Sequence, residues 1–414
     1  MTVALLKYYE RNQQKSPTKF MKTGYSIRTW RMRLVCPEPI WLDRTEEYFQ
    51  NVVEFYYHLL RQHEELWNSS LFDIQRSLEL LTLTGRDGRQ PTNPLPMGKV
   101  PVYLRRAAIN KASATVKSTQ ELQSGFPEKL EAKVIFFKGM YSDLTDRSIC
   151  LKLWNGEKWI WTDCNLKGRS FPQDGQLMSP TLVKEGRRYL LNIPVKQENS
   201  DARTAKERMA EGTNLCSVRF TNTDTFAVCC ILDEQGNQLA VHTCRGGDAY
   251  RHRCKLLEIR IQKSRPNTVG DNSPKPNRKY YMHLKNLSEH YAHQVSREIL
   301  NFCKENQAGI IVLPDYDQNF TRMAMVKSGN FSPLHLSSKI RTNLQYKAWA
   351  EGILVLETRT DGLKDKCAIC GGKVRRKGNE FLCENGHQGN RFLNDARNLG
   401  RKCQDSFFRG SRTK

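Results

Sequence analysis

The chain has 414 residues, with 66 Lys and Arg against 43 Asp and Glu, a net charge of +23. This length supports two to four domains with a sizeable core, and a composition of 38% hydrophobic, 26% charged and 9% aromatic residues is polar but globular. With no apolar run of about 18 residues a membrane span is ruled out, and the start, broken by Lys7, Glu10 and Arg11, shows no signal-peptide core, so a cytoplasmic, nucleoid-associated protein is expected. Basic residues spread along the whole chain predict a polyanionic partner, nucleic acid before membrane surface.

Residues 1–23 read as a flexible basic arm. Tyr25 to Val35 alternates apolar and basic residues as a half-exposed strand does. Pro37 and Pro39 end it, and Asp43 with Glu46 gives an N-cap signal. The helix behind carries Phe49, Val52, Val53, Tyr56 and Leu60 on one face. Two more helices follow, near Ser70 to Thr82 and Pro101 to Lys117. On the latter, Arg106, Asn110, Ser113 and Lys117 share a face, read as solvated. Arg105, Arg106, Asn110 and Lys117, with Lys347 further on, are candidate nucleic-acid contacts.

From Lys133 to Lys196 the period becomes two. Short strands are expected at VIFFKG, ICLKLW, EKWIW and RRYLLNIPVK, the middle pair joined by a hairpin at Asn155-Gly156. A small antiparallel barrel or sandwich results, including the Tyr25 to Val35 strand, with the helices as an insertion. Residues 197–213 are polar and read as a linker.

The C-terminal half reads as α/β. Strands are expected at Leu215 to Phe220, Thr225 to Leu232 and Gln238 to Thr243. A mobile loop over 263–279 precedes a helix with Leu284, Leu287, Tyr291, Val295 and Phe302 inward, closed by Gly309. A strand from Ile310 to Leu313, a helix from His335 to Glu351 and a strand from Ile353 to Glu357 complete a partly parallel sheet covered by helices.

The 13 cysteines are mostly scattered in apolar stretches (Cys150, Cys216, Cys229, Cys230, Cys303), as reduced buried thiols are. One cluster differs. Cys367-x2-Cys370, then Cys383-x3-His387, has the spacing of a tetrahedral zinc site, each pair gripping the ion from one knuckle. Gly371, Gly372 and Gly386 supply the tight turns. Four protein ligands leave no open position, so the zinc is expected to be structural; Cys403 is the substitute for His387, the least specified ligand.

Several segments together resemble one family, the transposon-encoded RNA-guided nuclease TnpB and the related miniature type V CRISPR effectors. LSSKIRTNLQYKAWAEGILVLETRTDGLKDKCAICGG (336–372) is similar to the family's helix, strand and zinc knuckle, and NRFLNDARNLG (390–400) to its closing helix, D-x-N-A-A-x-N. AGIIVLPDYD (308–317), SVRFTNTDTFAVCCILDEQGN (217–237) and LRRAAINKASATVKS (104–118) resemble its glutamate strand, its first RuvC strands and a recognition-lobe helix.

The resemblance implies an α+β multidomain chain: a basic arm and first strand of a wedge β-barrel over 1–42, an inserted helical recognition lobe over 43–125, and the rest of the barrel over 126–200. A linker over 201–213 leads to an RNase H-like (RuvC) domain over 214–360, a zinc ribbon over 361–388, and a closing helix with basic tail over 389–414. It also implies a guide RNA and double-stranded target DNA as partners.

A RuvC site cuts phosphodiesters with two divalent ions held about 3.5–4 Å apart by carboxylates. By the resemblance, those carboxylates fall at Phe220, Pro314 and Phe392, none of which ligates Mg²⁺. Phe220 and Phe392 are expected to face each other as an apolar plug. Of the neighbouring acids, Asp315 should point away, Asp224 lies in the bend after the first strand, and Asp395, three residues past Phe392, comes near the same helix face. The expected function is therefore RNA-guided DNA binding without catalytic Mg²⁺ or cleavage, repressing transcription, with the transcription machinery as a further partner. The alternatives are a nuclease using the relocated acids, and a zinc-ribbon DNA-binding protein acting without RNA.

Overall fold

The computed structural model describes residues 24–85, 87–172, 174–199, 201, 203–263, 277–316 and 332–409. The basic arm expected over 1–23 and most of the 263–279 loop lie outside these residues. The chain divides into two compact units, residues 27–197 and residues 1–26 with 198–414.

The first unit joins β1 (Tyr25–Val35) to three helices, α1 (Pro39–Gln62), α2 (Leu71–Thr82) and α3 (Val102–Leu122). Six strands follow: β2 (Tyr141–Ser142), β3 (Ser148–Trp154), β4 (Trp159–Lys167), β5 (Gln176–Leu177), β6 (Thr181–Glu185) and β7 (Arg188–Glu198). They pair in the order β2-β3-β4-β1-β7-β5, with β6 on β7, so β1 enters the middle of the sheet and the helices are an insertion. Alternation sends Ile149, Leu151 and Leu153 of β3 and Leu191, Ile193 and Val195 of β7 inward. They join Phe49, Val52, Val53, Tyr56 and Leu60 of α1 in one apolar core. Helix α1 begins at Pro39, a turn before the Asp43 signal, because proline at the first helical position has no N–H to lose there.

In the second unit the segment read as a linker contains a helix, α4 (Ala205–Ala210). Thr204 and Glu207 form a reciprocal capping box, and Arg208 and Met209 are buried. The unit continues with β8 (Asn214–Phe220), β9 (Thr225–Leu232), β10 (Gln238–Arg245), α5 (Gly247–Lys263), α6 (Arg278–Glu305), β11 (Ala308–Asp315), α7 (Ser337–Trp349) and β12 (Leu354–Arg359). The three short strands β13 (Val374–Lys377), β14 (Glu380–Cys383) and β15 (Gln388–Asn390) precede α8 (Arg391–Arg409). Helix α6 stops before Gln307, whose φ of +53° is left-handed, so Gly309 belongs to β11 and not to the helix cap.

The sheet order is β10-β9-β8-β11-β12; β8, β9 and β10 are antiparallel, and β11 is parallel to both β8 and β12. Cys216, Val218 and Phe220 of β8, with Ile311 and Leu313 of β11, form one face, packed on Tyr291, Val295 and Ile299 of α6 and Ile340 and Leu344 of α7. Leu215, Ile310 and Val312 form the other, against Ala396, Leu399 and Cys403 of α8 and Met209 of α4. Gly400 lets α8 come close: a Cβ there would lie 2.5 Å from Leu232 Cδ1 and 3.2 Å from Ser217 Cβ.

Candidate metal centre and strand-end cluster

The knuckles close as their spacing requires. Donor atoms of Cys367, Cys370, Cys383 and His387 all lie within 4.8 Å of one another. Gly371 and Gly386, at φ +77° and +84°, turn the chain tightly enough for backbone N–H groups to point at sulfur. Ile369 N–H donates to Cys367 Sγ and Asn385 N–H to Cys383 Sγ, each at 3.4 Å. The Asn385 amide and the Gly372 N–H hold the Cys370 thiol down to about 6, in the thiolate range. His387 Nδ1 is buried with no hydrogen-bond partner, a cost that a metal bond removes. The donor set fits a four-coordinate zinc ion. Cys403 is not the substitute the spacing offered: it lies in the core between α8 and the sheet, because α8 turns its apolar stripe there.

Where β8 ends beside α8, the strand alternation corrects the expected plug. Phe220 shares the face of Cys216 and Val218 and packs under the α6 side, whereas Phe392 lies on α8, the helix covering the other face. They do not meet. The β8 residue directed at α8 is Arg219, whose guanidinium pairs with Asp395 at 3.3 Å and donates to Tyr316 Oη at 2.7 Å. Asp395, 1% exposed, also receives the Arg376 guanidinium. Arg376 Nε donates to Lys364 O at 3.0 Å. Burial, then Arg219 and Arg376, depress Lys364; burial, then Arg376, depress Arg391, whose buried Nε has no hydrogen-bond partner. Four cations thus surround one buried carboxylate. Asp315 is exposed and Asp224 lies exposed in the bend between β8 and β9; among the described residues these acids and Asp395 form no group able to share an ion. Pro314 takes the α8-facing parity of Ile310 and Val312, and its carbonyl accepts from Arg341 Nη2 at 3.2 Å. Sequence reading missed Arg219 and Arg376; a lone arginine between Val218 and Phe220 in an apolar strand was the available signal.

The α3 face read as solvated packs instead against α2. Ser113 is buried, Asn110 accepts from Gln75 at 2.6 Å and Lys117 Nζ donates to Ser69 O at 2.8 Å. Arg105 is buried and pairs with Glu79 at 2.9 Å, so it holds the helices together and is not a nucleic-acid contact. Lys347, held down to about 8 by burial and Arg297, donates to Ser296 Oγ at 2.7 Å. Arg106, in contrast, keeps an exposed side chain. Arg105→Ala is expected to cost about 2 kcal/mol by removing Glu79's buried partner and leaving it only the longer 3.5 Å pair with the exposed Arg106, and Arg106→Ala under about 0.5 kcal/mol, measured by urea denaturation.

The Aq_aa04 family model matches residues 26–155. No curated protein matches the chain. Among solved structures, the effector of the Cas12f1–sgRNA–target DNA complex superposes with a TM-score of 0.53 at 12% identity, covering 91% of this chain and 99% of its own. The mini-RNA-guided endonuclease CRISPR-Cas_phi3 gives 0.51 at 10% identity, covering 97% of both chains. The likeness is one of fold. It extends over nearly the whole length of both chains in each comparison. Among the described residues no helix is long and apolar enough to cross a membrane.

Proposed function

We propose that the chain is an RNA-guided DNA-binding protein that holds complementary double-stranded DNA beside a short flanking motif without cutting it, and so represses transcription. In this reading residues 214–360 are a RuvC-like domain, 361–388 a structural zinc ribbon, and the N-terminal sheet a wedge barrel carrying a helical recognition lobe. The fold is similar to that of an effector solved with sgRNA and target DNA, and a net charge of +23 suits two phosphate-bearing partners.

The observation that carries the loss of cleavage is the Arg219–Asp395–Arg376 cluster. Two-metal hydrolysis needs several carboxylates free to bind ions. Among the described residues the one carboxylate buried between β8 and α8 is already neutralised by two guanidinium groups, so these residues do not fit paired divalent ions.

Two measurements test this. RNA sequenced from the purified protein should be one structured species with a variable end, and the loaded complex should bind matching supercoiled plasmid. With Mg²⁺ or Mn²⁺ the plasmid should stay supercoiled. Nicked or linear product overturns the loss of cleavage, and tight site-specific binding after RNase treatment overturns RNA guidance.

A further inference from the structure

A second convergence of metal donors lies two strands across the sheet from the strand-end cluster, on its opposite face. Strand β10 is an edge of its sheet, and its residues 242 and 244 point to the same face. Helix α6 covers that face, with Val295, Ile299 and Phe302 in the core, and the same helical stripe carries Glu298. His242, Cys244 and Glu298 each offer a ligand atom, all within 4.8 Å of one another. His242 Nε2 and Glu298 Oε1 lie 2.6 Å apart, within hydrogen-bond distance, so both donor atoms converge on one point. The His242 ring packs on Phe302 at 5.2 Å between centroids, which limits its swing. Behind lies Cys229, opposite His242 in the β9–β10 register. The imidazole and carboxylate are about one-third exposed, so the site opens to solvent on one side.

We propose that His242, Cys244 and Glu298 form a second metal site, taking Zn²⁺ or Co²⁺ with water in the fourth position. A thiolate with an imidazole favours these borderline ions over Mg²⁺ or Ca²⁺, which take oxygen donors. Three protein ligands make the ion exchangeable, unlike one enclosed by four. The bound ion ties the edge strand to α6, where the sheet has no further strand to pair with.

Metal content of the purified chain, dialysed against zinc and then washed, tests this without guide or DNA, so its outcome is separate from the functional reading. Wild-type protein is expected to hold one more ion than Glu298→Gln or Cys244→Ser. Glu298→Gln changes a side chain about one-third exposed and keeps the fold, which circular dichroism verifies; any residual affinity of that variant should be roughly tenfold weaker or worse. In the Co²⁺-loaded protein the thiolate charge-transfer band should lose intensity in Cys244→Ser while the ribbon's contribution persists. Equal metal content in wild type and both variants overturns the site and leaves a hydrogen-bonded His–Glu pair.

Discussion

In the zinc-loaded chain proposed above, chelation at the Cys367, Cys370, Cys383 and His387 centre is expected to unfold the β13–β15 element outright. Its apolar content is Cys367, Phe381 and Cys383, with Val374 packed alongside, too little for a three-stranded piece of this size to stand without a staple. Structural zinc sites of this kind contribute about 10–16 kcal/mol of apparent binding free energy near neutral pH. The loss would spread to α8, because Asn394 Oδ1 accepts from Ala368 N–H at 2.8 Å and Asn398 Nδ2 donates to Leu363 O at 3.0 Å. Cys367→Ser or Cys383→Ser should reproduce the effect of a chelator, seen as a lost ion in mass spectrometry and a lower melting temperature. In the metal-free chain the Cys370 thiol is depressed from the ordinary thiol value to about 6, so its favourable contribution is present above the unfolded value and disappears as pH falls through about 6. A Cys370 alkylation rate in the metal-free chain that rises only near the ordinary thiol value would contradict the thiolate description.

The second large effect is expected at Arg208. This side chain is fully buried, and burial lowers its affinity for a proton, yet its donors are all used. Nη1 reaches Gly309 O at 2.8 Å and Gly352 O at 2.6 Å, Nη2 reaches Asp201 O at 2.7 Å, and Nε reaches Arg203 O at 3.2 Å. One guanidinium therefore ties α4 to the entries of β11 and β12. Arg208→Met removes the charge and leaves buried carbonyls without donors, a loss of about 3–5 kcal/mol. For a unit of this size that lowers the melting temperature by roughly 10 °C. Arg208→Lys should recover only part, since an ammonium cannot span four acceptors set around a planar fork. A variant melting within a degree or two of the wild type would refute this role.

Arg208 also marks where sequence reading stopped. The stretch 197–213 is polar and was assigned to a linker on composition, although Thr204 and Glu207 spell the capping box that starts a helix. In α3 the 3.6-residue period gave the shared face of Arg106, Asn110 and Lys117, but a polar face looks the same whether water or the polar side of α2 lies against it. Arg105 shows the limit: one residue from Arg106, it is buried on Glu79.

Local chemistry fixed by spacing was legible from the residues themselves. The four zinc donors, the period-two strands that take β1 into the N-terminal sheet, and the strand–helix alternation of the second half all follow from covalent geometry and side-chain periodicity. Tertiary structure alone decided which face of the central sheet each β8 residue takes. An alternating strand defines two faces but not which helix covers either, so Phe220 and Arg219 were interchangeable until α8 packed against Leu215 and Ser217. Asp395 and Arg219, 176 positions apart in sequence, become partners only there. Their charges carry no local signal, and the ion pair forms because folding buries both ends of it in the same place.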